Sequence, residues 1–224
     1  MSFGDKKLSE IAVSVPGSTS LLREYDLDFC CGGSDTLANA AAEKGLNLAE
    51  IETRLTELQN SKAENPEEYW VNATYPEIID HILVRYHQRH REQLQELIVL
   101  ADRVESVHGD RDDCPIGVAA ELRNVYEDLS NHMMKEEHVL FPMIKAGNYM
   151  MAQMPIRMME MEHAEHGEHL DVLKSLTNNM TPPADACNTW CALYSGIQEF
   201  ADDLMMHIHR ENNILFPRVI AENH

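Results

Sequence analysis

One pattern in this sequence is written twice, and it limits the folds open to the chain more than any other feature. Residues 132–142 read HMMKEEHVLFP and residues 207–217 read HIHRENNILFP, both of the form HxxxExx[VI]LFP. Upstream, residues 87–97 read HQRHREQLQEL and residues 163–173 read HAEHGEHLDVL, sharing HxxHxxxLxxL. From the first His of each upstream copy to the following HxxxE is 45 residues in one case and 44 in the other. The chain therefore reads as two similar helical hairpins, each with one His helix and one HxxxE helix.

Residues four apart on a helix project from one face, about one turn apart. Two facing HxxxE helices thus direct His132, Glu136, His207 and Glu211 into one interior volume. Each upstream helix adds at least one imidazole. Such a set makes a poor apolar core and a good cage for two divalent metals, with each Glu able to bridge and imidazoles filling terminal positions. Periodicity alone does not choose between His87 and His90, or between His163 and His166. In the second copy His209 lies about 160° around the helix from His207 and is expected to face outward.

Long-range periodicity gives the frame for these motifs. The stripe recurs at Ile79, Leu83, Tyr86, His90, Leu94, Leu97, Ala101 and Val104, one face of a helix of about 30 residues starting at Pro76, with His90 nearer its centre than His87. Further long helices are expected over 116–145, 155–176 and 185–220. No segment alternates with the period of a strand, so the fold class is all-α, an antiparallel four-helix bundle. Residues 1–60 read as short helices, over 6–13, 18–25, 37–44 and 47–58. They form a small N-terminal helical domain with a glycine turn at 32–33, which follows the vicinal Cys30 and Cys31. Residues 61–75 read as a linker and 76–224 as the bundle.

Charge excludes several partners. With 38 acidic and 18 basic side chains, the 224-residue chain carries a formal charge of −20. A phosphate backbone or an anionic membrane surface selects the opposite balance, so neither nucleic acid nor membrane is expected as a partner. Five cysteines, an odd number, do not form a secreted disulfide framework or a CxxC zinc site. No apolar run is long enough to span a bilayer, and the expected compartment is the cytoplasm. Cys187 and Cys191, one helical turn apart, are expected to pack in the core, and the methionines of 133–134 and 150–161 to fill core space around the histidines.

At these residues the chain resembles the hemerythrin-like family. The segment 25–33, YDLDFCCGG, is similar to a small domain that precedes the bundle in one branch, the repair of iron centres proteins of the ScdA/YtfE type. The resemblance implies two non-haem iron ions per chain with an oxo bridge, held by His87, His132, Glu136, His163, His207 and Glu211. Both Glu serve as bridges. It places His90, His166 and Glu162 beside the ligands in supporting positions. It implies repair of iron–sulfur clusters damaged by nitrosative or oxidative stress, by donating iron, with damaged iron–sulfur proteins as partners. Nitric oxide or oxygen would be small ligands, and a homodimer is compatible with this reading. Cys30 and Cys31, on an accessible turn, form a second, thiol site suited to iron or nitrosyl–iron species. Under this reading the chain is an iron donor more than a turnover enzyme. The alternatives are a nitric oxide-binding or nitric oxide-reducing protein on the same site, and a metal-free four-helix interaction module.

Overall fold

The computed structural model describes residues 2–61 and 63–222, so Lys62 of the expected linker and residues 223–224 of the expected bundle lie outside the described residues. Among the described residues there is no strand, only an isolated bridge between Lys7 and Thr36. No described helix is long and apolar enough to cross a membrane. Two compact units are present: Met1–Ile78 with Met206–His224, and Ile79–Met205.

The first unit starts with short helices whose limits follow side-chain caps. Thr36 accepts the Asn39 N–H at the start of Leu37–Glu43, and Asn47 accepts the Glu50 N–H at the start of Leu48–Asn60. Leu8–Ser14 and Ser18–Glu24 complete the set. Their inward faces, with Ile11, Leu22, Phe29, Leu37, Ile51 and Leu55, are fully buried. At the glycine turn, a Cβ on Gly33 would sit 2.4 Å from the Phe29 carbonyl oxygen, so only glycine fits there. The segment 61–75 is not simply a connector. Asn65 caps a helix Pro66–Asn72, and that helix buries Glu67.

In the second unit, long helices run antiparallel. Arg85 pairs with Asp203 and Arg89 with Glu199, while a Cβ on Gly196 would meet Leu97 at 2.7 Å. Numbers rise along Gln88–His108 as they fall along Asn188–Arg210, so these helices are antiparallel neighbours. Arg123 to Asp102 and Arg91 to Glu137 set Val118–Lys135 against Gln88–His108 in the same sense. Lys135 to Glu162 and His169 to Glu121 do so for Tyr149–Leu176. This is the antiparallel bundle expected from periodicity. The third helix begins six residues before the expected start, with Pro155 inside it. A first helical turn tolerates proline best, and here Pro155 instead lies beyond it.

Most methionines of 150–161 do not fill the core. Met150 is 77% exposed, and Met151, Met154, Met158 and Met161 are also exposed; only Met159 is buried. The inward face of that helix is already filled by Ala152, Ile156, Met159, His163, His166 and Leu170. Met133 is buried but its neighbour Met134 is exposed.

Among the described residues three stretches widen to π-helix: π1 (Leu83–His87), π2 (Glu136–Leu140) and π3 (Glu211–Leu215). Proline explains the last two. Pro142 and Pro217 lack an N–H and their rings crowd the carbonyl four residues earlier, and a local i→i+5 turn relieves both problems. Nothing in the sequence explains π1.

His169 lies between Glu121 at 2.6 Å and Asp128 at 3.0 Å. Burial lowers its pKa, but the two carboxylates outweigh that and hold it above the ordinary imidazole value. A raised folded-state pKa stabilises the fold below the unfolded pKa, and the contribution is lost as pH rises through the folded one. His169→Gln is therefore expected to cost about 0.5–1 kcal/mol at pH 6 and almost nothing at pH 9, read from urea unfolding at both pH values.

Candidate metal centre

Within the second unit, π1 ends on His87, π2 begins on Glu136, and His132 sits one turn before it. His163 comes from Tyr149–Leu176. All four side chains are buried, with Glu136 and His163 fully so. Oε2 of Glu136 lies 3.4 Å from Nε2 of His87 and 3.4 Å from Nε2 of His132. Nε2 of His163 lies 3.1 Å from Nε2 of His132. Neither Glu136 oxygen accepts a hydrogen bond.

The outer ring nitrogens explain this. Nδ1 of His87 is 2.8 Å from Glu137, and Nδ1 of His132 is 3.0 Å from Glu162. A carboxylate accepts only, so in the neutral ring each Nδ1 carries the proton and each Nε2 presents a lone pair inward. Lone pairs of imidazole and carboxylate thus face one another without protons between them. That arrangement is repulsive for a hydrogen-bonded core and fits a cation.

Both anchoring carboxylates are themselves fixed. Glu137 also takes Arg91 at 2.7 Å, and Glu162 takes Lys135. The His87 bond, with help from Arg91 and against burial, holds Glu137 at about 2. The His132 bond and Lys135 do the same for Glu162, also at about 2. Both stay ionised at any working pH. Glu162→Ala or Glu137→Ala is expected to weaken ferrous-ion binding about 10–100-fold while leaving the ligands in place, measured by competition with a chelator.

The first unit holds the second HxxxE copy. His207 and Glu211 are both buried, with Nε2 3.3 Å from Oε1, and Glu211 begins π3. His209 does not face solvent. It is fully buried, edge-on to Phe29 at 5.4 Å, with Nδ1 2.8 Å from the Asn213 amide and Nε2 3.5 Å from Glu67. Helical spacing turns it away from His207, but Phe29 of the thiol turn and Glu67 of Pro66–Asn72, in the same unit, occupy that side. Burial depresses the His209 pKa, and Glu67 only partly compensates. Glu67 also binds buried Arg210, whose guanidinium lies 4.8 Å from the Trp70 ring centre. Burial raises the Glu67 carboxyl, but His209 and Arg210 outweigh it and leave the pKa below the ordinary value.

The Cys30–Cys31 turn belongs to this unit. Asp28 accepts the N–H groups of Cys30, Cys31 and Gly32 at 2.8–3.0 Å, which closes the turn. The sulfurs lie 3.8 Å apart, unlinked. Cys30 is buried, contrary to the accessible turn expected; only Cys31 is partly exposed. Hydrogen bonding to Cys31, burial and the Asp28 charge push the Cys30 thiol well above its ordinary value, so it is a protonated thiol. Asn212 donates to the Cys30 carbonyl at 2.9 Å and Asn213 to the Phe29 carbonyl at 2.8 Å.

The supporting histidines are placed as follows. His166 is buried edge-on to His132 at 4.9 Å. His90 is buried edge-on to Phe200 at 5.4 Å and stacks on Tyr86. Glu162 lies 3.0 Å from Nδ1 of His132. Sequence reasoning missed Glu137, Glu67 and the two asparagines. One signal was available: the repeat breaks at Glu137 and His138, which become Asn212 and Asn213 in the second copy. Positions that differ within a duplicated motif mark where each copy meets different surroundings.

Comparison with known proteins agrees with this construction. Residues 78–219 match the hemerythrin HHE cation binding domain, and residues 4–59 match ScdA_N, a domain of unknown function. A protein of Haemophilus influenzae named probable iron-sulfur cluster repair protein is 68% identical over 222 residues, covering 99% of this chain and 100% of that protein. Proteins named iron-sulfur cluster repair protein YtfE are 54% identical in Musicola paradisiaca, covering 98% of each chain, and in Citrobacter koseri, covering 99% of each. The chain belongs to the hemerythrin HHE cation-binding family, in the branch that carries an ScdA_N domain ahead of the helical bundle.

Proposed function

We propose that this chain repairs damaged iron–sulfur clusters in the cytoplasm by donating iron held by His87, His132, Glu136, His163, His207 and Glu211. Two non-haem iron ions per chain fit six such donors, with Glu136 and Glu211 as bridges. The observation that carries this reading is Glu136, a fully buried carboxylate with no hydrogen bond, faced by imidazole nitrogens whose protons are held on the far side. The repeat supplies the matching pair in His207 and Glu211, and full-length relatives are named for cluster repair.

Iron bound there supplies the cargo and a redox-active pair. The chain's own residues supply the rest. Glu137 and Glu162 keep His87 and His132 oriented as neutral ligands. His90 and His166 line the surroundings, and reduced thiols at Cys30 and Cys31 suit a cytoplasmic donor. Asn212 and Asn213 follow Glu211 directly and hold the backbone of the thiol turn, so a shift of Glu211 is transmitted to that turn. The test is transfer of iron from the loaded protein into an apo iron–sulfur protein, read as recovered cluster absorbance. Cys30→Ala/Cys31→Ala is expected to keep its iron and transfer poorly. Catalytic consumption of nitric oxide without any transfer would replace this reading with a reductase.

A further inference from the structure

Cys187 and Cys191 are expected to pack, and neither does: Cys187 is half-buried and Cys191 exposed. Sγ of Cys187 instead lies 3.3 Å from Nε2 of His108. Both residues sit at helix ends. His108 is the last residue of Gln88–His108, and Cys187 immediately precedes Asn188–Arg210. A helix end favours positive charge and a helix start favours negative charge, the signs that an imidazolium and a thiolate carry. The base is also held in place. Its ring packs on fully buried Trp190 at 5.2 Å, and Arg111 covers the same indole at 5.3 Å while bridging Asp113 and Asp185. A nucleophile within hydrogen-bond reach of an oriented base is the arrangement that activates a thiol.

A second thiol stands one turn away. The Cys191 N–H donates to the Cys187 carbonyl at 3.0 Å. That turn spaces the two Cα atoms about 6 Å apart, inside the Cα range of a disulfide, and the Cβ atoms, about 5–6 Å apart at this helical spacing, must approach by about 1–2 Å for the bond to form.

We propose that Cys187, His108 and Cys191 form a peroxide-reactive dithiol site, distinct from the metal ligands. His108 takes the Cys187 thiol proton, and the sulfur attacks one oxygen of a hydroperoxide. The O–O bond breaks, an S–O bond forms, and the proton returns from His108 to the departing oxygen as alcohol or water. The Cys191 sulfur then displaces the hydroxyl of the sulfenic acid, which leaves as water with the Cys191 proton, and an S–S bond forms. Two thiols are oxidised by two electrons and one hydroperoxide is reduced.

The experiment uses the full-length protein as purified, with peptide mass spectrometry. In the wild type, iodoacetamide is expected to alkylate Cys187 at least about tenfold faster than the more exposed Cys191. His108→Gln and His108→Asn should both remove that advantage with iron content and helicity unchanged. Limiting hydrogen peroxide should link residues 187 and 191, and Cys191→Ser should accumulate a dimedone adduct at Cys187. Faster alkylation of Cys191 than Cys187 in the wild type overturns the proposal. So does dimedone capture at Cys191 in Cys187→Ser at the wild-type rate. Iron transfer does not enter these readouts, so the site stands or falls apart from cluster repair.

Discussion

Replacing Glu136 with leucine is expected to make the metal-free protein more stable and the iron-loaded protein no more stable than the metal-free one. Glu136 is fully buried, and neither oxygen accepts a hydrogen bond. Without a cation such a group costs several kcal/mol of lost hydration, and a leucine of similar volume removes that cost. The expected gain is about 2 kcal/mol, or roughly 4–8 °C in Tm for a chain of this size. Wild-type protein should gain stability on anaerobic ferrous loading through mass action, and the leucine variant should not. Calorimetry with and without iron, beside metal analysis, reads both effects. A lower Tm for the metal-free variant would mean that Glu136 is a structural partner rather than a ligand.

Glu67→Ala should have the opposite sign and a larger size. It removes the carboxylate that pairs with Arg210, itself buried, and that faces His209. Breaking one side of a buried pair leaves an uncompensated charge and costs about 3–5 kcal/mol. The expected fall in Tm is roughly 10 °C, measured on the metal-free protein so that ligand loss does not enter. Glu67→Gln keeps an acceptor for the guanidinium and should fall between. Because the Glu67 carboxyl titrates below its ordinary value, its contribution is complete at neutral pH and is lost as pH falls through that lowered value. The stability difference between wild type and Glu67→Ala should therefore shrink as pH falls through that value. A Tm within a degree of wild type for Glu67→Ala would contradict the assignment.

Sequence periodicity and the repeat were enough for the all-α class, the long helices and the motifs that carry His132, Glu136, His207 and Glu211, because an i,i+4 pair fixes direction on a helix regardless of what surrounds it. Choosing among the upstream histidines was not within reach of periodicity. His87 closes a π turn, and both it and His90 are buried, so helical spacing does not separate them. His209 shows the same limit differently. Its angle around the helix is legible, yet whether that side meets water depends on Phe29 and Glu67, which are distant in sequence. Glu67 itself lay in a polar stretch with a proline, the composition of a connector, and its buried partners Arg210 and His209 are distant in sequence. The methionines misled because their flexibility suits core filling, while small and branched residues of the same helix had already taken the inward face.

Iron content is the most direct test of the central claim. Full-length protein, reconstituted anaerobically with ferrous iron and freed of excess, should retain about two irons per chain, as expected for a carboxylate-bridged pair in a helical bundle. Glu136→Leu should retain well under one. Wild-type protein that stays metal-free with its helicity intact would contradict the account.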